Sequence, residues 1–500
     1  MFSWKTIIYG VRCGCKIQDA GLRGRHASAI VAAVRTALKT VICFVCLVCF
    51  VRFLLLPPSA FALGGHELLV LANGNSEVSL RVARKYVELR RIPAENLVVL
   101  PVPARLTESP RPVSHADFTR HIWEPAQKAL AERGIADHVL AWAYSTDFPV
   151  AVSIHEGMSI QGITFLRNKA PRIPADVNRG NYGSPLFTGP DRPTAMGHFA
   201  QSLDMYRRWL GTTMPLPSMM LGYTGKLGNT EKEVIHALQM GKKADNTAPT
   251  GTVYFVTSSD IRSKCRQWQF WGAVKELTRL GVRARVTDDF PSGKEDVLGV
   301  MMGAANVKPR AAGSYLPGAM AEHLTSAAAV FTGSSQTKLT AWIRAGASAS
   351  AGTVVEPRAI WTKFPSARFF VHYASGCTMM ESFCQSIRCP LQVLLVGDPL
   401  AAPWMPAPEL IVDGMEPGTE GATVLLRAEV KDERGHYGKF LYLLDGRIIG
   451  REPLMKLRAG EIPAGDHVLR VVAYRTGLVR TQVFVERSLT VRDGKVKLGS

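Results

Sequence analysis

Residues 66–101 read HELLVLANGNSEVSLRVARKYVELRRIPAENLVVLP, and the fold class turns on how this stretch alternates. His66–Ala72 is a short apolar run, the pattern of a strand buried on both faces. Asn73-Gly74-Asn75-Ser76 turns the chain and ends on a hydroxyl that can cap a helix. Over Glu77–Arg90, Val78, Val82, Tyr86 and Leu89 fall on one helical face, and Ile92-Pro93 stops the helix. Asn96–Pro101 is a second strand. Ala116–Arg133 is a second helix, ended by Gly134, and His138–Tyr144 (HVLAWAY) a third strand. Strand, helix, strand, helix, strand in this order predicts a mostly parallel α/β sheet with right-handed crossovers.

Residues 151–250 break the rhythm with frequent Pro and Gly, and are expected to form an inserted lid. Short helices are expected within it at Phe199–Leu210 and Glu231–Gly241. The rhythm returns with strands at Gly251–Thr257, Val282–Val286, Val297–Met302, Gly352–Val355 and Leu391–Val396. Helices are expected at Gln267–Leu280, Thr337–Gly346 and Ala367–Ile387. Pro403, Pro406 and Pro408 form a linker. Beyond it the period falls to two, in Ala422–Val430, Phe440–Leu444, His467–Tyr474 and Thr481–Val491. Residues 408–495 therefore read as a β-sandwich of immunoglobulin or fibronectin kind.

At 500 residues the chain has room for two or three domains, and 47% apolar with 20% charged residues is globular composition. No uninterrupted apolar run reaches 18 residues, which excludes a polytopic membrane protein. Val41–Val51 is apolar over eleven residues, then come Arg52 and Phe53–Leu56. Arg23, Arg25, Arg35 and Lys39 precede the run, and Ala60-Phe61-Ala62 follows Pro57 and Pro58. A basic flank, a short apolar run and an A-x-A site mark residues 1–62 as a targeting segment. It is either a signal peptide cleaved before Leu63 or an anchor held in the membrane by 41–56, and in both cases the rest is exported. Export leads to the periplasm, the cell envelope or the medium, with membrane contact only through this segment.

Of the formal charge of +19, residues 1–64 carry +7. The remaining positive charge is spread out, which suits anionic envelope polymers or a protein partner rather than nucleic acid. Cys265, Cys377, Cys384 and Cys389 follow the targeting segment and permit one or two disulfides. None has zinc-site spacing, so no metal is expected. No cofactor is expected either. Gly222-Tyr223-Thr224-Gly225-Lys226 lacks the spacing of a phosphate loop, and no dinucleotide fingerprint follows a strand.

Three stretches carry a resemblance: LANGNSEVSLRVARKYVELRRIPAEN (Leu71–Asn96), HLTSAAAVF…QTKLTAWIRAGASASAGTVVEP (within Asp296–Pro357) and KFPSARFFVHYASGCTMMESFCQS…VLLVGDPLAAPW (within Lys363–Pro403). They resemble a little-characterised family of exported bacterial proteins. More distantly, the order of parts is similar to the gingipain-type cysteine peptidases, which implies a caspase-like sheet flanked by helices. Those peptidases place a His after one core strand and a Cys after the next. Here the corresponding regions read Gly303-Ala304-Ala305 and Leu324-Thr325-Ser326-Ala327, with neither residue. The resemblance thus implies the peptidase fold without its dyad.

Chemistry must then come from elsewhere. Cys377 and His372 are the one close Cys/His pair, but five residues apart on a helix they do not share a face. Helix packing or a disulfide is the plainer role for Cys377. Ser326, in His323-Leu324-Thr325-Ser326, lacks a nucleophile elbow and reads as a turn or helix end. Ligands of open α/β sheets sit beyond the carboxyl ends of strands. The residues there are Asn73, Asn75, Asp147, Asp260 with Arg262, Glu356 and Asp398, expected to converge on one edge. Converging, Asp147, Glu356 and Asp398 could supply acid and base, and Asn73, Asn75, Asp260 and Arg262 could bind a polar ligand. Scattered, they cap turns and helix starts. The first arrangement favours a hydrolase acting on peptide or glycan. The second favours a binding or scaffold protein at the envelope.

Overall fold

The computed structural model describes residues 63–107, 112–190, 199–210, 214–406, 408–431, 437–475 and 477–499. The expected targeting segment lies outside them. The described residues belong to one compact unit that begins at Ser59. Among them, no helix is long and apolar enough to cross a membrane.

Strand β1 (Leu68–Asn73) is buried at every position, as its unbroken apolar run requires. Ser76 caps helix α1 (Glu77–Arg90), its hydroxyl accepting the Ser79 N–H at 3.1 Å, and Arg91 ends the helix in the left-handed region. Strand β2 (Leu97–Leu100) pairs parallel with β1. The single helix expected at 116–133 is interrupted by a π-turn at Thr119–Trp123, ahead of α2 (Glu124–Glu132). Strand β3 (Ala141–Tyr144) follows.

The stretch read as a lid, 151–250, contributes to the body of the domain. It supplies the buried helix α3 (Ile160–Phe165), α4 (Leu203–Leu210), β4 (Ser218–Met220) and α5 (Glu231–Ala244). Next come β5 (Thr252–Val256), α6 (Phe270–Arg279), β6 (Arg283–Thr287), β7 (Lys294–Gly303) and β8 (Gly313–Leu324). The domain closes with α7 (Thr340–Ala345), β9 (Ala349–Thr353), α8 (Arg368–Ala374), α9 (Met379–Ser386) and β10 (Val393–Gly397).

Ten strands form one sheet in the order β2-β1-β3-β4-β10-β9-β8-β7-β5-β6. Neighbours are parallel throughout, except β9 and β10. That single antiparallel seam runs from the Ala349–Gly397 pair to the Thr353–Val393 pair. It divides the sheet into two five-stranded halves of opposite direction.

The chain passes between the halves twice: from β4 to β5 through the single helix α5, and from β9 to β10 across the seam itself. Residues 367–387, expected as one helix, form two. Gly376 stands at φ 96° between them, and a capping box of Thr378 and Glu381 starts α9. Phe369 and Phe383, equidistant from the turn, meet with ring centroids 4.6 Å apart, as in an antiparallel helix pair. The chain runs through both helices before it enters β10.

Beyond Pro408, antiparallel strands form a three-stranded sheet (Glu409–Asp413, Thr423–Lys431, Leu454–Arg458) and a six-stranded one containing Lys439–Leu444, Gly465–Arg475 and Thr481–Arg492. Leu426, Leu457, Tyr442, Val471 and Leu489 share a core of their own. Polar links join this part to the α/β sheet. Arg480, fully buried, is paired with Glu67, and Glu486 accepts from Arg91 at 2.9 Å and Arg470 at 2.6 Å.

Two outcomes follow from this packing. Gly397 stands at φ 136°, and a Cβ there would lie 2.4 Å from the Ser348 carbonyl oxygen. Gly397→Ala should therefore lower the unfolding free energy by roughly 2–4 kcal/mol in a denaturant titration. Gly183→Ala, with open space around it, should change it by less than about 0.5 kcal/mol. Separately, residues 408–499 alone should give an all-β spectrum and a cooperative melt, because their core is not shared.

Candidate functional site

The seam decides where the carboxylates go. Asn73, Asn75, Asp147 and Asp398 lie beyond the carboxyl ends of strands in one half of the sheet. Asp260, Arg262 and Glu356 lie beyond the carboxyl ends of the other half, which point the opposite way. The expected convergence on one edge does not occur.

Asp147 and Asp398 do not meet either. Asp147, in the left-handed region at φ 58°, holds a half-buried carboxylate that accepts from Ser76 Oγ and from Thr224 Oγ1 at 2.6 Å. The Asn73 side chain donates to its carbonyl at 2.8 Å, and the Asn75 side chain to Val102 O at 3.0 Å. Asp398 is fully buried and accepts from Arg90, from Tyr86 Oη at 2.8 Å and from Leu400 N–H at 3.0 Å. Ser76 and Arg90 bracket the fourteen residues of α1, so about 20 Å of helix separates the two sites.

In the other half, Asp260 caps a short helix by accepting Arg262 N–H at 2.9 Å, and pairs with the Arg262 guanidinium at 3.2 Å. Glu356 is exposed and accepts Arg358 N–H at 2.7 Å. Among the described residues, no three His, Cys, Asp or Glu side chains are placed to hold a metal ion.

Around Leu324–Ala327, after β8, side chains are locked to local partners. His323 accepts the Trp342 indole N–H on Nδ1 at 2.9 Å and so carries its proton on Nε2, 3.1 Å from Thr337 O. Burial pushes its pKa down to about 3, which keeps it neutral. Thr325 Oγ1 donates to Gln336 Oε1 at 2.7 Å, and Lys338 donates to Ala327 O at 2.8 Å. Behind them the fully buried Arg266 and Glu322 pair at 2.6 Å.

The thiols are as constrained. Cys265, Cys377, Cys384 and Cys389 are all free, so the permitted disulfides are absent among the described residues. Cys377 lies in the turn between α8 and α9, its Sγ near Gln201 O at 3.8 Å and Gln385 Nε2 at 3.4 Å. His372 is turned to Thr188 Oγ1 at 3.2 Å. Burial raises the Cys377 thiol well above its ordinary value and that of Cys389 to about 11.

A different feature offers a ligand a place. A cavity of about 360 Å³ opens at the amino ends of β3 and β4. Leu130, Val139, Leu140, Met214 and Leu216 give it apolar walls. Gln127, Trp142, Arg167 and Arg207 also line it. Trp142 is fully buried, and its indole N–H has no partner among the described residues. Arg167 donates to Met214 O at 2.6 Å and Arg207 to Asp137 O, but neither guanidinium pairs with a carboxylate among the described residues. The Asp137 carboxylate is engaged with His138 Nδ1 at 2.6 Å. Burial, and after it the charge of Arg207, holds the Arg167 pKa below its ordinary value. Two guanidiniums and a buried indole at a cleft with partly apolar walls suit an anion with an apolar body.

Sequence reasoning missed this cavity because it looked beyond the carboxyl ends of strands. One signal was present: Trp in HVLAWAY puts a polar N–H on a strand otherwise built for burial.

No protein-family model matches the chain, and no curated protein is similar to it. Among solved structures, it is similar to the fibronectin(III)-like modules of Clostridium thermocellum CbhA at 17% identity and a TM-score of 0.13, covering 20% of this chain. The chain spans about half, 52%, of that protein's length. It is also similar to a catalytically inactive OgpA from Akkermansia muciniphila, solved with an O-glycopeptide substrate. That match has 10% identity and a TM-score of 0.16, over 48% of this chain and 93% of the other. Neither likeness carries an assignment of fold or activity.

The four thiols give a direct check. A neutral thiol-alkylating reagent on the native protein should modify Cys265, which is half-buried, and leave Cys377, Cys384 and Cys389 untouched until denaturant is added. Mass mapping of the labelled peptides reads the result.

Proposed function

We propose that this protein is an exported, envelope-associated binding protein, a caspase-like α/β domain without a thiol dyad joined to an Ig-like or fibronectin-like sandwich. Its ligand is an anionic amphiphile, whose carboxylate or phosphate sits between Arg167 and Arg207 while its apolar part lies along Leu130, Val139 and Leu216. The observation that carries this reading is that two guanidiniums without a carboxylate partner among the described residues, and a buried Trp142 N–H without one there, line a single cavity. The buried arginines Arg90, Arg266 and Arg480 pair with acids. Arg167 and Arg207 line a cavity and have no such pair among the described residues.

The rival reading is a hydrolase working through Asp147, Glu356 and Asp398 or through a relocated Cys377. Such chemistry needs acid, base and nucleophile within hydrogen-bond reach of one substrate. The division of the carboxylates by the seam, and the burial of Cys377, weigh against it.

Titration calorimetry with octanoate and octyl phosphate tests the binding reading. Binding should be measurable for at least one, and Arg167→Gln and Arg207→Gln should each weaken it about tenfold or more, the loss of one charge-assisted hydrogen bond. Trp142→Phe should weaken it severalfold. Equal binding by wild type and both arginine variants would discard the site.

A further inference from the structure

Leu63 is the first described residue, and its side chain is 2% exposed within the core of the main sheet. Its backbone nitrogen donates to Glu381 Oε1 at 3.1 Å. Glu381, at the start of α9, is fully buried. Oε1 also accepts Leu203 N–H at 3.3 Å. Oε2 accepts the Thr378 N–H at 2.9 Å and its hydroxyl at 3.1 Å. All four donors are neutral. Burial outweighs them and pushes the Glu381 carboxyl up to about 7.

Other ionisable groups lie near it. Arg480 is the cation that acts on Glu381, and it is shared with Glu67 and Asp204. Cys377, Cys384 and Tyr206 also face Glu381, each held neutral by burial. Burial likewise lowers His66, which adds no charge.

The sequence supplies a second cation. Ala60-Phe61-Ala62 ends directly before Leu63, and small residues at those positions are the cutting signal of exported chains. Hydrolysis of the Ala62–Leu63 bond adds one water, leaves a carboxylate on Ala62 and frees an ammonium on Leu63. We propose that Leu63 is the N-terminus of the mature protein and that its α-ammonium forms a buried ion pair with Glu381. Processing then converts one neutral hydrogen bond into a charged clamp between the start of β1 and α9. This inference rests on the export reading and is independent of the arginine-lined cavity.

The pH dependence has a definite sign. In an uncut chain the folded state holds the Glu381 proton up to about pH 7, whereas the unfolded chain releases it near pH 4.3. Stability therefore falls as pH rises across that window. In the cut chain the ammonium keeps Glu381 ionised in the fold, and the fall disappears. The ammonium's own contribution is present below the ordinary α-amino pKa, about 7.7–8.0. It is lost as pH rises through the higher value that the ion pair imposes.

The test compares protein beginning at Leu63 with the same protein carrying Phe61-Ala62 in front, so that only the Leu63 nitrogen changes character. The Leu63 form should melt a few degrees higher at pH 7, with the gap closing toward pH 4.5 and again well above pH 8. Glu381→Gln should abolish the gap. At pH 7, an amine-acylating reagent should label the Leu63 amine at least tenfold more slowly than the Phe61 amine, a readout that needs no substitution. Equal melting and equal labelling would overturn the ion pair. N-terminal sequencing of exported protein separates the two readings. A start other than Leu63 removes the processing step itself, while a Leu63 start with a freely reacting amine leaves export standing and discards the clamp.

Discussion

One antiparallel pairing, between Ala349–Thr353 and Val393–Gly397, organises this molecule. Every other neighbour in the ten-stranded sheet is parallel, so the seam alone sets two five-stranded halves against each other. Its two strands are joined through the helix pair at Arg368–Ala374 and Met379–Ser386, which turns at Gly376. Two glycines hold the arrangement in place. Gly376 allows the turn, and Gly397 lets β10 approach the backbone at Ser348 closely.

This explains which parts of the structure were legible. The opening β-α-β stretch was, because Leu68–Asn73 is apolar throughout and Glu77–Arg90 is bounded by Ser76 and Pro93. So was the change of period beyond Pro408. Strand β8 was not, because Gly313, Pro317 and Gly318 punctuate its twelve residues like a loop, yet burial between neighbouring strands holds them extended. Strand β4, three residues long, is too short to carry a pattern and is defined by the strands on either side. The break at Gly376 was also hidden, since KFPSARFFVHYASGCTMMESFCQS is apolar on both sides of it. The expected meeting of Asp147, Asp260, Glu356 and Asp398 failed because the chain reverses between β4 and β5 and again between β9 and β10, which puts Asp260 and Glu356 at the opposite end, and because α1 stands between Asp147 and Asp398. Their identities as turn and cap residues were read from the sequence; their separation depends on topology.

The buried charges serve the same architecture. Arg90–Asp398, Arg266–Glu322 and Arg480–Glu67 each join elements remote in sequence. Burying such a pair costs desolvation that the attraction barely repays, while removing one partner costs about 3–5 kcal/mol. Pairs of this kind add little net stability, but they penalise any packing that parts them. Arg90 ties the end of α1 to the residue after the seam, and Arg480 ties the C-terminal sheets to the start of β1.

That logic separates structural charge from charge available to a ligand. The carboxylate of Asp398 is engaged by the fold, and so are Asp147 through two hydroxyls and Asp260 through its own helix start. Each was placed by sequence at a strand end because turns need such residues, and turns use them fully. Arg167 and Arg207 differ in kind. Carbonyl oxygens position their guanidiniums without neutralising them, and no acid among the described residues completes the pair. Like charges held near each other beside an apolar wall are unfavourable on their own. An anion bound between them would complete the set, which is why the proposed site is placed at the amino ends of β3 and β4 and not at the strand ends to which the α/β pattern first points.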